Sequence, residues 1–348
     1  MATFQKIKDK IMSDGTFKDG EFILKHSRSQ IGKAGRRIRK GISEDLDADI
    51  AMIQEYRAAH DKPMRAMRHF LLGLKKGQVS SRLKRLPTIL DKLSRATLDG
   101  VQHNSMCATT MSDIAGCRVI VGSYAELLEL ESIMSGAIIE GAKFRKLRDY
   151  LCYPKSSGYR GIHRVYSFGK FDVEVQLRTK MQHVWSTAVE IVDLFEGTKL
   201  KTNPQEEDWS WREFFQLFSS ILYSMDTGNI SKKTFSDIEA LRKLEAKLSV
   251  YAKLQSFTIS STQLADEYSG IDTAVISVVQ SGKTMKVETA LFTVDEKLDA
   301  MANYQQKESD GVVSIMVSVE DFSKLKEIYP AYHIDISHFT SALKNILQ

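Results

Sequence analysis

The chain has 348 residues, 43% of them hydrophobic and 27% charged, with a net charge of +5. That length and balance fit one large globular domain or two ordinary ones, and no apolar run approaches the roughly 18 residues that a membrane span needs. The N-terminal MATFQKIKDKIMSDG lacks an apolar signal core, and Cys107, Cys117 and Cys152 have no metal-ligand spacing, so a cytoplasmic protein with reduced thiols is expected.

Residues 1–110 read mainly as helix. Apolar residues recur at helical intervals from Ala48 to Leu74, with His60-Asp61-Lys62-Pro63 as a break. Ahead of them, KAGRRIRK concentrates Lys33, Arg36, Arg37, Arg39 and Lys40. A second basic stretch, SSRLKRLPTILDKLSR, holds Arg82, Lys84, Arg85, Lys92 and Arg95. Read as helix, it sets Lys84 and Lys92 within about 80° of each other.

The texture changes at Asp113. CRVIVG, residues 117–122, is a β-branched and nearly continuous apolar run, as expected of a buried strand. Tyr124 to Met134 reads as helix. Residues 154–163, PKSSGYRGIH, form a loop by composition. Arg164–Phe168 and Phe171–Leu177 read as strands joined at Gly169-Lys170. Alternation places Asp172, Glu174 and Gln176 on one face of the second strand. Lys180 to Phe195 resumes a helical period, and Trp209 to Leu254 reads as a pair of long helices. Beyond about residue 268, strand-like runs at Thr273–Val279, Thr284–Phe292 and Val312–Val319 mix with helical segments at Glu296–Tyr304, Val319–Ile328 and Ser337–Leu347. The expected organisation is a domain over 1–265 and a small α+β module over 268–348.

Three constellations carry chemistry. Asp113 and Glu174 are tied to strands, and carboxylates from neighbouring strands are a common way to hold Mg²⁺. The competing reading is two ordinary strand acids facing solvent. Arg82, Lys84, Lys92 and Lys155 are positioned to neutralise a polyphosphate, where catalysis is largely placement and charge stabilisation; a solvated helix face is the plainer alternative. The loop delivers Tyr159, Arg160 and His163 together. A tyrosine there is suited to stacking on a nucleobase, worth about 1–3 kcal/mol, or to packing on its own domain.

In order and local spacing, these residues resemble the RelA/SpoT synthetase motifs. The resemblance is carried by Arg82-x-Lys84 with Lys92, Asp113-Ile-Ala-Gly-x-Arg118, and Asp149-Tyr150 followed by Pro154-Lys155-x-x-Gly158-Tyr159-Arg160-x-x-His163. Glu174-Val-Gln176-Leu-Arg178-Thr179 and Gln182-His183-x-Trp185 extend it over roughly residues 25–200. It implies an α+β fold, a mixed β-sheet wrapped by helices and related to nucleotidyltransferases. It also implies an ATP-dependent pyrophosphokinase using Mg²⁺, with Asp113 and Glu174 as metal ligands and Glu174 helping to deprotonate a ribose 3′-hydroxyl. Arg82 and Arg118 would flank adenine, and Lys84 and Lys92 would hold the ATP phosphates. Tyr159 would stack on the acceptor base, with Lys155, Arg160, His163 and Gln176 around it. His60-Asp61 is an HD dipeptide, but the synthetase's own helices must occupy that part of the chain, so metal hydrolysis is not expected.

Tyr329-Pro330-Ala331-Tyr332 resembles the YxxY element of CapRel-type fused toxin–antitoxins. That likeness implies a C-terminal antitoxin module whose Tyr329 and Tyr332 enter the adenine site, a phage capsid protein as trigger, and the tRNA 3′-CCA end as acceptor. Lys33, Arg36, Arg37, Arg39 and Lys40 would then contact tRNA phosphates. The alternative acceptor is GTP or GDP, making the protein an alarmone synthetase. On the toxin reading, truncation before about residue 268 releases activity.

Overall fold

The computed structural model describes residues 5, 6, 9, 17–94, 106–195, 200, 209–252, 259–261, 270–281, 284–319 and 337–348. A short hairpin of β1 (Phe17–Lys18) and β2 (Glu21–Phe22) precedes helix α1 (Arg28–Lys40). That helix starts in a capping box, with Ser27 Oγ accepting from the Gln30 N–H and the Gln30 side chain accepting from the Ser27 N–H. The periodic stretch after it is two helices, α2 (Leu46–Ala59) and α3 (Asp61–Gly73), which divide at His60.

The HD dipeptide at that division is structural. His60 is fully buried, and its Nδ1–H donates to the Tyr56 carbonyl at 2.7 Å. Burial pushes its imidazole down to about 4, so the ring is neutral between Tyr56 and Phe171. Asp61 is committed to ion pairs with Lys297 and Arg65.

Among the described residues, nine strands form one mixed sheet. They are β3 (Gln78–Leu83), β4 (Ala115–Val121), β5 (Ala142–Asp149), β6 (Ile162–Phe168), β7 (Phe171–Thr179), β8 (Ile259–Ser261), β9 (Ile271–Ser281), β10 (Thr284–Thr293) and β11 (Val313–Val319). Their spatial order is β5-β6-β7-β4-β3-β11-β9-β10-β8. The pairs β4–β7 and β8–β10 are parallel and the rest antiparallel. The hairpin at Gly169-Lys170 forms as expected. Strand β5 escaped the reading because a register shift between Phe144 and Lys146 breaks its two-residue alternation.

The sheet runs straight through the expected boundary near residue 265. Strand β11 pairs with β3, setting Val317 opposite Arg82 and Val319 opposite Ser80, and β9 then pairs with β11. Strand β3 would otherwise be an unpaired edge next to the site, and β11 covers it.

One face of the sheet is apolar. Val79, Cys117, Val119, Val175 and Leu177 pack there against Met64, Met67 and Leu71 of α3. The same core takes Leu127 and Leu130 of α5 (Tyr124–Gly136) and Met301 and Tyr304 of α9 (Lys297–Ser309). A second core joins α6 (Lys180–Phe195), α7 (Trp209–Thr227), α8 (Lys232–Leu248) and α10 (Ser337–Leu347) through Trp185, Phe214, Phe218, Leu241 and Phe339. Each such fully buried side chain contributes about 1.5–3 kcal/mol. A third, smaller core ties α1 and α2 to α4 (Leu86–Ser94) through Ile31, Ile53, Ile89 and Leu93. No helix among the described residues is long and apolar enough to cross a membrane.

Candidate active site

Strand parity selects the side chains that meet on the other face, because residues paired across neighbouring strands project to the same side. Glu174 of β7 lies opposite Gly116 of β4, which lies opposite Arg82 of β3. One pair along, Gln176 lies opposite Arg118, which lies opposite Ser80. On the outer side, His163 is opposite Gln176, and Arg148 is opposite His163. Two polar rows therefore cross the centre of the sheet. Gly116 is the gap in one of them. A Cβ built there meets only the carbonyl oxygens of Arg82 and Glu174, at 3.9 Å, so bare backbone forms a floor between the cation and the acid.

Asp113 stands just before β4 and gathers two lysines. The Lys84 N–H donates to the Ile114 carbonyl at 2.7 Å, which brings the exit of β3 beside Asp113. Lys84 Nζ then lies 3.0 Å from Asp113 Oδ2, and Lys92 Nζ lies 2.9 Å from both carboxylate oxygens. Burial opposes the charge on Asp113, but the two ammonium groups outweigh it and hold the carboxyl well below the usual range. The common helix expected for Lys84 and Lys92 is replaced by a strand, a link and a helix. Val79 to Leu83 bury on both sides as a sheet interior demands, and Pro87 in the first turn of α4 suits a helix start. The lysines converge because two different elements end at Asp113.

Glu174 sits in a closed ring of hydrogen bonds. His163 Nδ1 is 3.1 Å from Glu174 Oε1, and Gln176 Nε2 donates to Glu174 Oε2 at 2.8 Å. The ring continues through Tyr159 Oη, 2.6 Å from His163 Nε2, and Arg178, whose Nε donates to Tyr159 Oη at 3.0 Å. Arg178 Nη2 closes it on Gln176 Oε1 at 2.8 Å. Burial keeps His163 below its ordinary value and hence neutral, which matches an Nδ1–H donated to Glu174 and an Nε2 accepting from Tyr159. Burial and the nearby Asp113 charge work against ionised Glu174, yet the groups bonded to it pull it down to about 2. Arg148 adds an ion pair at 3.2 Å. A carboxylate that acidic is a weak base and a good ligand.

Of the two placements open to Tyr159, the structure shows the ring packed on its own domain. It is 8% exposed, edge-on to Tyr150 and His163, with its hydroxyl in the Glu174 ring. The half-buried ring beside it is Tyr150, with Lys155 Nζ 4.7 Å from its centroid. Arg160 does not join the Glu174 ring. It donates to the Leu151 carbonyl at 2.9 Å and lies 4.1 Å from the ring of Tyr223 on α7. Helix α7 also holds the loop backbone, since Ser219 donates to the Gly158 carbonyl and Gln216 to that of Ser156. Gly158 has φ +92°, and a Cβ there would stand 3.0 Å from Gln216 Cα. Gly158→Ala is therefore expected to cost about 1–3 kcal/mol of stability. A thermal melt equal to that of the unchanged chain would show that α7 does not set this loop.

Other motif residues are structural. Thr179 Oγ1 accepts from the Gln182 N–H at the start of α6 and donates to Asp226 at 2.8 Å, and Trp185 Nε1 donates to the Phe215 carbonyl at 2.8 Å. In the basic cluster of α1, Arg37 is bonded to Asp49 and Arg39 to the Met106 carbonyl, while Lys33, Arg36 and Lys40 are exposed along one side. Tyr329 and Tyr332, and all but the first residue of the helix expected at 319–328, lie outside the described residues. Arg148, Tyr150 and Arg178 were missed as site residues. Two-residue spacing from Glu174 and Gln176 already points to Arg178, whereas Arg148 is found only through the β5–β6 register.

Mg²⁺ takes one or two carboxylates together with substrate phosphates. Asp113 and Glu174 are both held ionised and feel each other's charge, so this donor set fits that ion. Among the described residues no group of three or more His, Cys, Asp or Glu gathers to form an all-protein cage.

Residues 81–191 match the family model described as the region found in RelA / SpoT proteins. No curated protein matches the chain. Among solved structures, small alarmone synthetase 1 from Bacillus subtilis bound to its product pppGpp is 21% identical, with a TM-score of 0.42 over 50% of this chain and 93% of that one. A GTP pyrophosphokinase family protein from Streptococcus pneumoniae is 19% identical, with a TM-score of 0.39 over 56% of this chain and 99% of that one. Small alarmone synthetase 2 from Bacillus subtilis is 20% identical, with a TM-score of 0.37 over 53% and 96%.

Proposed function

We infer that this chain, whose residues 81–191 match the region found in RelA / SpoT proteins, is a diphosphotransferase that moves the terminal pyrophosphate of ATP onto a ribose 3′-hydroxyl. One observation carries the reading: two ionised acids, Asp113 just before β4 and Glu174 on β7, lie within reach of each other's charge, each with cations beside it. Arg82, Lys84, Lys92 and Arg118 form the donor side. Lys84 and Lys92 take the triphosphate, exchanging the Asp113 carboxylate for phosphate oxygens. Bound Mg²⁺ supplies Lewis-acid stabilisation of the transferring group. Arg82 and Arg118, planar cations around the open floor at Gly116, frame the base of ATP.

The acceptor enters beside Lys155, Tyr150 and His163. Glu174 serves as metal ligand and as the fixed end of the His163–Tyr159–Arg178 ring, in place of the general base expected of it. A loose phosphoryl-transfer transition state asks little of a base and much of positioning.

Two acceptors have support. The exposed stripe of Lys33, Arg36 and Lys40 on α1, whose neighbour α4 carries Lys92, favours the tRNA 3′ end. The compact surroundings of Lys155 and Tyr150 suit a guanine nucleotide. Incubating the full chain with γ-labelled ATP and Mg²⁺, with either tRNA or GTP and GDP, separates them. Label in tRNA that falls with added salt is expected on the first reading. Label confined to guanine nucleotides rejects it, and label in neither rejects the reaction.

A further inference from the structure

The short segment from Arg82 to Leu86 carries two donor-side cations and leads into the helix that carries a third. Its backbone is held at both ends by residues far from it in the chain. At the start, β11 pairs with β3 and sets Val317 opposite Arg82. In the middle, Arg57 Nε donates to the Lys84 carbonyl at 2.6 Å. At the end, the Leu86 N–H, first in α4, donates to Glu308 Oε1 of α9 at 3.2 Å.

These holds are linked to one another. Arg57 is fully buried, and its guanidinium lies 4.5 Å from the centroid of Tyr304 and 3.9 Å from Met301 Sδ, both on α9. The Tyr304 hydroxyl donates to Glu308. Among the described residues Arg57 forms no ion pair, and its Nη2 has no hydrogen-bond partner. A dry guanidinium is costly, and the charge it faces is the Glu308 carboxyl, where Arg57 opposes the upward push of burial. Its one strong bond goes to the carbonyl of Lys84, whose own N–H is bonded to Ile114, next to Asp113. Both sides of the Lys84 peptide are thereby fixed, one by the sheet and one through α9.

We propose that Glu308, Tyr304 and Arg57 are positioning residues of the ATP site, and that the C-terminal segment is a working part of that site. Glu308 caps the helix that aims Lys92, and Tyr304 holds Arg57 against Lys84. The proposal rests on the donor-site reading above. It reverses the expectation drawn from the tyrosine string. Removal of residues 268–348 takes away the supports of Lys84 and Lys92 and does not uncover a ready site.

The full chain tests it. Binding of the non-hydrolysable analogue AMPCPP with Mg²⁺ is measured by calorimetry for the unchanged chain, Glu308→Ala and Glu308→Gln, beside thermal melts and the acceptor KM. Glu308→Ala is expected to weaken analogue binding about 10-fold with the acceptor KM unmoved. Glu308→Gln keeps an oxygen for the Leu86 N–H and is expected to restore most of that affinity. Unaltered binding by a folded Glu308→Ala overturns the proposal. So does equal damage to analogue binding and acceptor KM, or no rescue by glutamine. An unchanged chain that fails to bind the analogue refutes the donor site itself, which is a separate and recognisable failure.

Discussion

Glu174→Gln is expected to reduce diphosphotransfer by about 10²–10⁴-fold while leaving the fold intact. Glutamine preserves the shape and an oxygen for the His163 Nδ1–H, so the arm through His163, Tyr159 and Arg178 can persist, while its amide nitrogen faces the Gln176 Nε2 donor and gives up that one bond. What it removes is the negative charge that faces the substrate beside Asp113. The stranded partner is Arg148, whose side chain is 30% exposed and can turn to water, so the usual heavy cost of an orphaned buried cation does not arise. Transfer of label from γ-labelled ATP and a thermal melt are the two readouts. Activity within 10-fold of the unchanged chain, with matching melts, would falsify the metal-ligand role.

The same variant reads out the carboxyl's titration. Glu174 is pulled down to about 2 from an ordinary value near 4.5. A depressed carboxyl contributes stability that is present above its unfolded pKa and lost as pH falls through its folded pKa. The stability gap between the unchanged chain and Glu174→Gln is therefore expected to hold at neutral pH and to narrow from about pH 4.5 toward 2. A gap that stays constant across that window would mean that the His163 and Gln176 bonds do not favour the ionised form.

Asp113→Asn is expected to be as damaging to activity, and to leave a distinct mark on stability. Asp113 is the shared anion of Lys84 and Lys92, with side chains only 20–23% exposed on both sides of the pairs. Asparagine leaves two ammonium groups facing one site with no charge between them. Because water still reaches the cluster, the loss is placed at about 1–3 kcal/mol, below that of a fully buried pair. A triphosphate can replace the missing anion. Metal-free ATP is thus expected to raise the melting temperature of Asp113→Asn more than that of the unchanged chain. Equal shifts in both would show that Lys84 and Lys92 do not receive the triphosphate.

Much of the site was legible because its logic is local. Asp172, Glu174 and Gln176 share a face by simple alternation, and the hairpin at Gly169-Lys170 forms where turn residues separate two β-branched runs. The order of the motifs singled out acids and cations that the structure brings close together, Asp113 with Lys84 and Lys92, and Glu174 with His163 and Gln176. The errors have physical causes. A helical wheel joined Lys84 to Lys92, but QVSSRL is drawn into the sheet by partners on both sides, β4 and β11. For Tyr159, where stacking on a base and packing on its own domain were both open, Trp185 and the aromatic core of α6 and α7 enclose the ring. Arg37 and Arg39, grouped with Lys33, Arg36 and Lys40 as tRNA contacts or a solvated face, each also have a partner within the chain that the sequence does not show.

From sequence alone came the two acids and the basic residues Arg82, Lys84, Lys92 and Arg118, which are residue types at short spacing, and, through the motif resemblance, the expectation of a pyrophosphokinase. The tertiary structure alone decided which groups meet. Pairing of β3 with β11 joins residues more than two hundred positions apart, and the Arg57–Tyr304–Glu308 support of Lys84 spans a similar distance. Such contacts follow from strand register and from which helix faces bury together, and no local window of the chain contains that information.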